Sequence, residues 1–383
     1  MPDGQLSTPS HPTSRTEDDR FDRLRLIRSR RVGAVTFHRL LAEHGSARAA
    51  LAALPAIARA AGVEEYEACP VGVAQAELNR GKALGARLLA HGEPAYPQAL
   101  MEIPDAPPVL WALGDISLLN RPAVGMVGAR NASSLGVRMA RRLGLGLSEA
   151  GFTVVSGLAR GIDTAAHEAA LEAEGRTVAV MAGGIDVIYP PENAALAAAL
   201  DATGCRISEH PPGLEPQARH FPLRNRIVAG LSRAVIVVEA AAKSGSLITA
   251  KAALDYGRDV MAVPGHPFDA RASGCNMLIR DGALLVRGPQ DVLEALGAPG
   301  AAQTEPEMRL PPLPGPTAPQ RPLKDVALLH SMILNRLGPS PLAEDQLMRD
   351  LNVTSAQLAP ELLTLELDGR ISRQPGGLLA RVS

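Results

Sequence analysis

Cysteine is scarce in this chain, and what there is forms no pattern: Cys69, Cys205 and Cys275 are odd in number, far apart, and include no CxxC. That argues against a disulfide framework and a zinc site, and a reducing compartment suits the chain. An excess of charge is missing too. With 39 Lys and Arg against 40 Asp and Glu, the formal net charge is -1. The protein therefore does not coat a polyanion or a membrane by bulk charge, and any such site must be a local patch. No apolar run approaches the roughly 18 residues of a membrane helix. The polar start, MPDGQLSTPSHPTSRTEDD, has no apolar signal-peptide core, so a cytoplasmic location without membrane contact is expected. Aromatics are only 3% of the residues. A core must rest on Ala, Val, Leu and Ile, and each aromatic in a polar setting gains diagnostic weight.

Catalytic signatures are also lacking. No GxGxxG is followed by an acid about 20 residues on, and no GxxxxGK[ST] occurs, so neither a dinucleotide nor a nucleoside triphosphate is announced. His167-Glu168 stands in HEAAL rather than HExxH, and Ser156 in VVSGLA lacks the GxSxG elbow. Glu209-His210 is an acid/base pair only in composition, since it precedes Pro211-Pro212 as a turn does. No metal, cofactor or reaction is expected.

What is present begins with organisation. The 383 residues, 46% of them hydrophobic, give room for two or three domains with a sizeable core. Residues 1–19, rich in Ser, Thr, Pro and Asp, are expected to be a disordered tail. Residues 20–89 place apolar side chains at three and four spacing, punctuated by Gly33, Gly45, Pro55 and Gly62, which predicts a small all-α domain. Prolines between Tyr96 and Asn120 exclude a long helix there, and Trp111 is a core candidate. From Pro122, the apolar runs VGMV, FTVVS, TVAVMA, RAVIVVE, DVMAVPG and ALLVRG alternate with helical segments. Such runs suit strands covered on both faces, so an α/β domain with a mostly parallel sheet and helices on both faces is expected over 90–297. Residues 298–322 are Pro- and Ala-rich without periodicity and read as a linker. Over 323–383, Lys324 to Leu337 is amphipathic, Ser340-Pro341 opens a second helix, and Ser355 to Leu367 makes a third. RISRQPGGLLARV then reads as a hairpin with Gly376-Gly377 at its tip, which together predicts a winged helix.

Four Gly-rich turns follow the expected strands. GARNASSLG offers Gly128 for a tight turn, Arg130 as a fork suited to phosphate, and Asn131 beside it. SGLARGIDTAAH carries Ser156, Gly157, Gly161 and a capping Asp163; AGGIDVIYPPEN carries Gly183 and Gly184. AAAKSGSLITAK sets Lys243, Ser244, Gly245 and Ser246 before a helix. Singly, each is ordinary turn geometry. Together, at the ends of parallel strands, they predict a groove that binds phosphates through backbone N–H groups and a few cations.

One further stretch stands out against the neutral chain. RHFPLRNR brings Arg219, Arg224 and Arg226 together with His220, Phe221 and Asn225, and no acid occurs from Pro216 to Val238. In isolation it is either a solvated cap for a helix starting near Arg224 or one wall of a polyanion site. Arginines at a helix N-terminus oppose the macrodipole unless an anion arrives there. Phosphates paired by the arginines and a base stacked on Phe221 are what single-stranded nucleic acid supplies.

The order and spacing of GARNASSLG, SGLARGIDTAAH, AGGIDVIYPPEN, FPLRNRIVAGLS, KSGSLITA and PGHPFDARASGCNMLIRDGA resemble the DNA-processing protein A (DprA, or Smf) family from Tyr96 to about Leu296. The resemblance implies an extended Rossmann-like domain that binds single-stranded DNA as a homodimer. It further implies that the protein protects incoming DNA and loads the RecA recombinase in natural transformation, without cofactor or catalysis. Carried over by motif, the DNA-binding arginine of the first turn is Arg130, the stacking aromatic is Phe221, and the FPxRNR arginines are Arg224 and Arg226. Where some members have a lysine this chain has Ala218, with Arg219 as a substitute. The N-terminal region resembles a SAM-like or helix-hairpin-helix-like module, but RVGAV offers only Gly33, so a partner contact is expected there rather than DNA. The third winged-helix helix carries Glu361, Glu366 and Asp368 and no base, which also points to a protein contact. An enzymatic alternative is a Rossmann-like nucleoside monophosphate phosphoribohydrolase; its PGGxGTxxE signature is missing.

Overall fold

The computed structural model describes residues 17–173, 176–299, 323–338, 341–374 and 378–382. They form two compact units, one within 17–299 and one within 323–382. Most of the expected tail, the linker from residue 300, Ser340 and the Gly376-Gly377 tip lie outside the described residues.

The first unit opens with four helices, α1 (Glu17–Arg28), α2 (Ala34–His44), α3 (Ala47–Ala60) and α4 (Val71–Ala83). Glu17, Asp18 and Asp19, assigned to the tail on composition, form the first turn of α1, where acids complement the helix dipole. Phe37, Leu40, Leu51 and Leu54 build the local core. This helical layer is tied to the neighbouring sheet. Arg28 clasps Glu77 through two hydrogen bonds of 2.9 and 2.8 Å, and Glu77 in turn accepts from Trp111 Nε1 at 2.9 Å. Gly81 lets α4 lie against that indole, since a Cβ there would stand 2.1 Å from the ring.

Nine strands make one sheet: β1 (Arg87–Ala90), β2 (Val109–Gly114), β3 (Ala123–Val127), β4 (Thr153–Ser156), β5 (Thr177–Val180), β6 (Cys205–Ser208), β7 (Ala234–Val237), β8 (Asp259–Ala262) and β9 (Leu284–Leu285), in the order β1-β2-β6-β5-β4-β3-β7-β8-β9. Their connections carry α5 (Gln98–Met101), α6 (Ser134–Glu149), α7 (Ile162–Glu172), α8 (Ala194–Thr203), α9 (His220–Leu231), α10 (Ser246–Asp255), α11 (Ser273–Arg280) and α12 (Pro289–Leu296). From β6 to β9 all pairings are parallel, while β1 and β2 add an antiparallel edge. Three strands escape a reading of the sequence: β1 stands at the end of a run read as helical, β2 lies among prolines, and β6, CRIS, carries an arginine and a serine and makes no apolar run. Strand residues alternate between two cores. Val235 and Val237 pack on the α9/α10 side with Ile227 and Ala250, whereas Ala234 and Ile236 pack on the α6/α7 side with Leu143 and Ala166. Both faces are covered, as the apolar strands require.

The chain runs outward from β3 through β4, β5 and β6, then returns to place β7 beside β3, pairing Val124 with Ala234 and Val127 with Val237. The carboxyl ends of β3 and β7 thus form the switch point of the sheet, the position at which open α/β sheets leave a crevice.

The second unit has α13 (Leu323–Arg336), β10 (Leu342–Ala343), α14 (Glu344–Leu351), α15 (Ser355–Leu367), β11 (Ile371–Gln374) and β12 (Leu378–Arg381). The strands pair antiparallel in the order β10-β12-β11 around a core of Ile333, Leu347, Leu358, Leu362 and Leu379, a winged helix. Pro341 does not open the second helix as expected. Leu342 and Ala343 are drawn into a strand against Leu379 and Leu378, and the helix begins at Glu344. On α15, Glu361 pairs with His330 at 2.7 Å, so one of its acids is engaged within the unit.

Candidate nucleic-acid interface

The groove at the switch point encloses about 1540 Å³ of open space. Its lining includes Gly128, Arg130 and Asn131 after β3, Phe221, Arg224 and Asn225 on α9, and Lys243, Ser244, Gly245 and Ser246 after β7. Ten of the sixteen candidate residues therefore meet on one surface. A smaller cavity of about 500 Å³ shares Arg130 and Phe221 with it and adds Gly157, Gly183 and Tyr189.

Four helices begin around this crevice, and their N-termini are treated in two ways. At α6, the Glu239 carboxylate accepts from Ser133 N at 3.1 Å and also takes the Ser133 hydroxyl, which in turn caps Gly136 N at 3.0 Å. At α7, buried Asp163 accepts from Gly157 N at 3.0 Å and Ala159 N at 3.3 Å. Those two ends are already neutralised by acids. At α9 and α10, no acid occurs in the first turn, and at α10 the only side-chain acceptor among the described residues is the neutral Ser244 hydroxyl, which takes Ser246 N at 3.4 Å. Their N–H groups and positive dipole ends adjoin the groove, where an anion is favoured.

The exposed cations complete this field. Arg130 carries its guanidinium 4.8 Å above the centre of the Phe221 ring, while Tyr189 meets the same ring edge-on at 5.8 Å. Phe221 is thus held upright between a cation and an aromatic edge, with part of its surface left open. Lys243 is exposed at the entrance to α10, and Asn225 Nδ2 donates to Gly245 O at 3.4 Å, which ties α9 to that turn. The helix bearing Phe221 starts at His220, four residues earlier than the motif suggests, with Arg219 as its cap residue.

Arg224 and Arg226 are a different matter. Arg224 is only 5% exposed and forms the floor of the groove: Nη1 donates to Val180 O at 2.9 Å and Nε to Asn225 Oδ1 at 3.1 Å. Gly157 makes that possible, since a Cβ there would stand 1.6 Å from Arg224 Nη1. Burial lowers the Arg224 pKa and raises that of Asp163, and each charge partly offsets the effect on the other. Beneath them His167 is held neutral, pushed down to about 3 by burial and by Arg224. Because the Thr177 hydroxyl donates to Val154 O at 2.7 Å, it must accept from His167 Nδ1, also at 2.7 Å. Arg226 is 9% exposed and turned away from the groove, onto the buried Glu209 carboxylate and the Asp105 carbonyl. Glu209 is thereby a structural acid, not half of a catalytic pair with His210.

The remaining candidates stand apart from the groove. The Ser156 hydroxyl is buried and donates to Met126 O at 2.6 Å. Gly161, at φ 75°, lets two turns cross, because a Cβ would meet Ala129 O at 2.3 Å. Gly184 packs beneath Gly213 and Pro211 for the same reason. Arg219 is exposed, with Nε 3.4 Å from His220 Nε2, and it is Ala218 that lines the groove. The sequence reading missed two contributors, each inside a quoted motif: Arg271, and Tyr189, one of four tyrosines, whose place beside Phe221 is set by the fold. In the N-terminal layer, Arg20, Arg23, Arg25 and Arg28 are spent on Glu93, Asp19, the Cys69 carbonyl and Glu77.

A Rossmann-like sheet with a cation-lined crevice at its switch point, joined to a helical layer and a winged helix, defines the class of protein. Three family models match it in register: DNA recombination-mediator protein A over residues 87–297, a DprA-like N-terminal HHH domain over 17–79, and a DprA winged helix domain over 316–377. The chain belongs to the DprA/Smf family. It is 39% identical to protein Smf of Synechocystis over 76% of this chain and 79% of that one, and 46% identical to DNA processing protein DprA of Bacillus subtilis over 55% and 71%. Among solved structures it resembles DprA from Streptococcus pneumoniae, with TM-score 0.54 and 36% identity over 69% of this chain and 98% of that one. It also resembles DprA from Helicobacter pylori, solved for its single-stranded DNA binding mode, with TM-score 0.51 and 29% identity over 55% and 95%.

Proposed function

We propose that this protein binds single-stranded DNA in the switch-point groove, without catalysis, and in the cytoplasm hands the protected strand to the RecA recombinase during DNA uptake and recombination. The observation that carries the binding step is the pairing of two acid-free helix N-termini, α9 and α10, with Arg130, Lys243 and the Phe221 ring on one surface. Phosphates are met by N–H groups and cations, and a base by an aromatic face. The work is divided among the helical layer from α1 to α4, the DNA-binding domain from β1 to α12 and the winged helix from α13 to β12. The flanking domains contact protein partners, and the active form is a homodimer. These finer roles rest on the family resemblance.

The test is a salt titration of binding to labelled single- and double-stranded oligonucleotides, with sizing of the free protein. Single strands should bind more tightly, with affinity falling steeply as salt rises. Phe221→Ala should weaken binding by about 1–3 kcal/mol. Equal affinity for duplex and single strand at every salt concentration would sink the reading. Release of a free base from a nucleoside monophosphate would favour the phosphoribohydrolase instead.

A further inference from the structure

Phe268 is 96% exposed, more than any other large hydrophobic side chain among the described residues. Single exposed apolar residues are ordinary on protein surfaces, so exposure by itself carries little meaning. Its position carries more. The loop that presents the ring is fixed: Gly265 N donates to Asn276 Oδ1 at 3.2 Å, Asn276 Nδ2 returns a bond to Gly265 O at 3.0 Å, and Asp269 Oδ1 accepts from Arg271 N at 3.0 Å. Phe268 N also donates to His266 Nδ1 at 3.3 Å, which brings the imidazole alongside the phenyl at 5.5 Å between centroids. Two flat faces therefore stand together on an anchored loop.

That loop is an extension of the groove wall. Ala242 N donates to Ser273 Oγ at 3.0 Å, and Gly274 N donates to Ala240 O at 2.8 Å. Arg271, three residues beyond Phe268, lines the groove with Lys243 and Ser244. On the other side, Asn225 joins α9 to Gly245. Phe221, Asn225, Lys243, Gly245 and Arg271 all line the groove, and Phe268 stands three residues before Arg271 on the same anchored loop. Arg271 is paired to Asp269 at 3.2 Å, but both are exposed to water, so the pair is open to exchange for a phosphate.

We propose that Phe268, with His266 beside it, is a second base-stacking platform that receives single-stranded DNA as it leaves the groove past Arg271. The proposal rests on the groove being a single-strand site. Sequence-tolerant stacking on successive aromatics, with cations tracking the backbone, is how non-specific single-strand grooves gain affinity.

The experiment uses the full chain and a length series of labelled oligothymidylates at one salt concentration. Phe268→Ala should bind long strands about 5- to 150-fold more weakly, the range for losing one stacked base, and should match the wild type on strands too short to reach the loop. In Phe268→Trp, emission should be quenched by long strands, against the baseline of Trp111, the one native tryptophan, which is buried. Wild-type affinity of Phe268→Ala at every length, with unchanged tryptophan emission, overturns the proposal while leaving the groove intact. So does a Phe268→Ala protein that loses self-association but not DNA affinity, since the ring would then belong to a contact between copies. If the wild type binds no single strand of any length, the groove reading fails first and the second platform falls with it.

Discussion

Arg224 and Arg226 are two positions apart on α9, and Arg130 reaches the same helix from the turn after β3, yet they serve opposite ends. Arg130 is exposed and lies over Phe221, whereas Arg224 and Arg226 are buried beneath the groove and behind it, bound to carbonyls and to Glu209. A guanidinium with five donors can close several backbone ends at once, and here that capacity fixes α9 to the rest of the sheet. The arginines that look most like a phosphate clamp are therefore scaffold, and the motif gives the groove Phe221 and Asn225 while its exposed cations come from other turns. The two sets still meet, because Arg224 forms the floor of the groove that Arg130 and Phe221 line.

Removing a buried partner should have the largest consequence. Arg226→Ala leaves Glu209 as an uncompensated buried carboxylate and should cost about 3–5 kcal/mol in urea denaturation of the first unit. Replacing both residues, as Arg226→Met with Glu209→Leu, should recover most of that loss; failure to recover would mean that the ion pair is not the cause. Next comes Gly157→Ala, whose Cβ must displace the Arg224 guanidinium. Overpacking of this kind costs about 1–3 kcal/mol, so an unchanged melting temperature would show that Arg224 has room to move.

The buried side should also feel pH. His167 is depressed to about 3 and His210 to about 4 in the folded protein, against about 6.5 when unfolded. The unfolded chain takes up protons first, so stability should fall as pH drops from about 6.5, by up to about 1.4 kcal/mol per pH unit for each histidine. Asp163 and Glu209, raised by burial, act in the opposite sense at the acid end. His167→Gln should flatten the slope between about pH 6.5 and 5, and an identical slope would move the effect elsewhere. The smallest effect belongs to the exposed side. Arg130→Ala should reduce the slope of log affinity against log salt by about 0.7, one phosphate, whereas the paired Arg226→Met and Glu209→Leu change should leave that slope alone.

The strand-end turns are legible in the sequence because parallel strands are apolar throughout and Gly at their ends has few other uses. Lys243, Ser244 and Gly245 fall at the mouth of α10 for that reason. The antiparallel edge is not legible. β1 is four residues closing a run with helical spacing, and β2, though six residues long and apolar, is set directly after prolines; pairing with each other and with β6 makes them strands. Winged-helix strand β10 is a similar case, two residues given their form by Leu378 and Leu379.

By itself, the sequence determined the α/β class, the winged helix and the row of turns, since local periodicity and glycine placement act over a few residues. Only the tertiary structure decided which arginines face the groove. Burial depends on what packs against a side chain from distant parts of the chain: Gly157 makes space for Arg224, Glu209 draws Arg226 inward, and Ala218 rather than Arg219 meets the groove. A guanidinium reads the same in a sequence whether it awaits a phosphate or closes a carbonyl, and the difference lies in its neighbours.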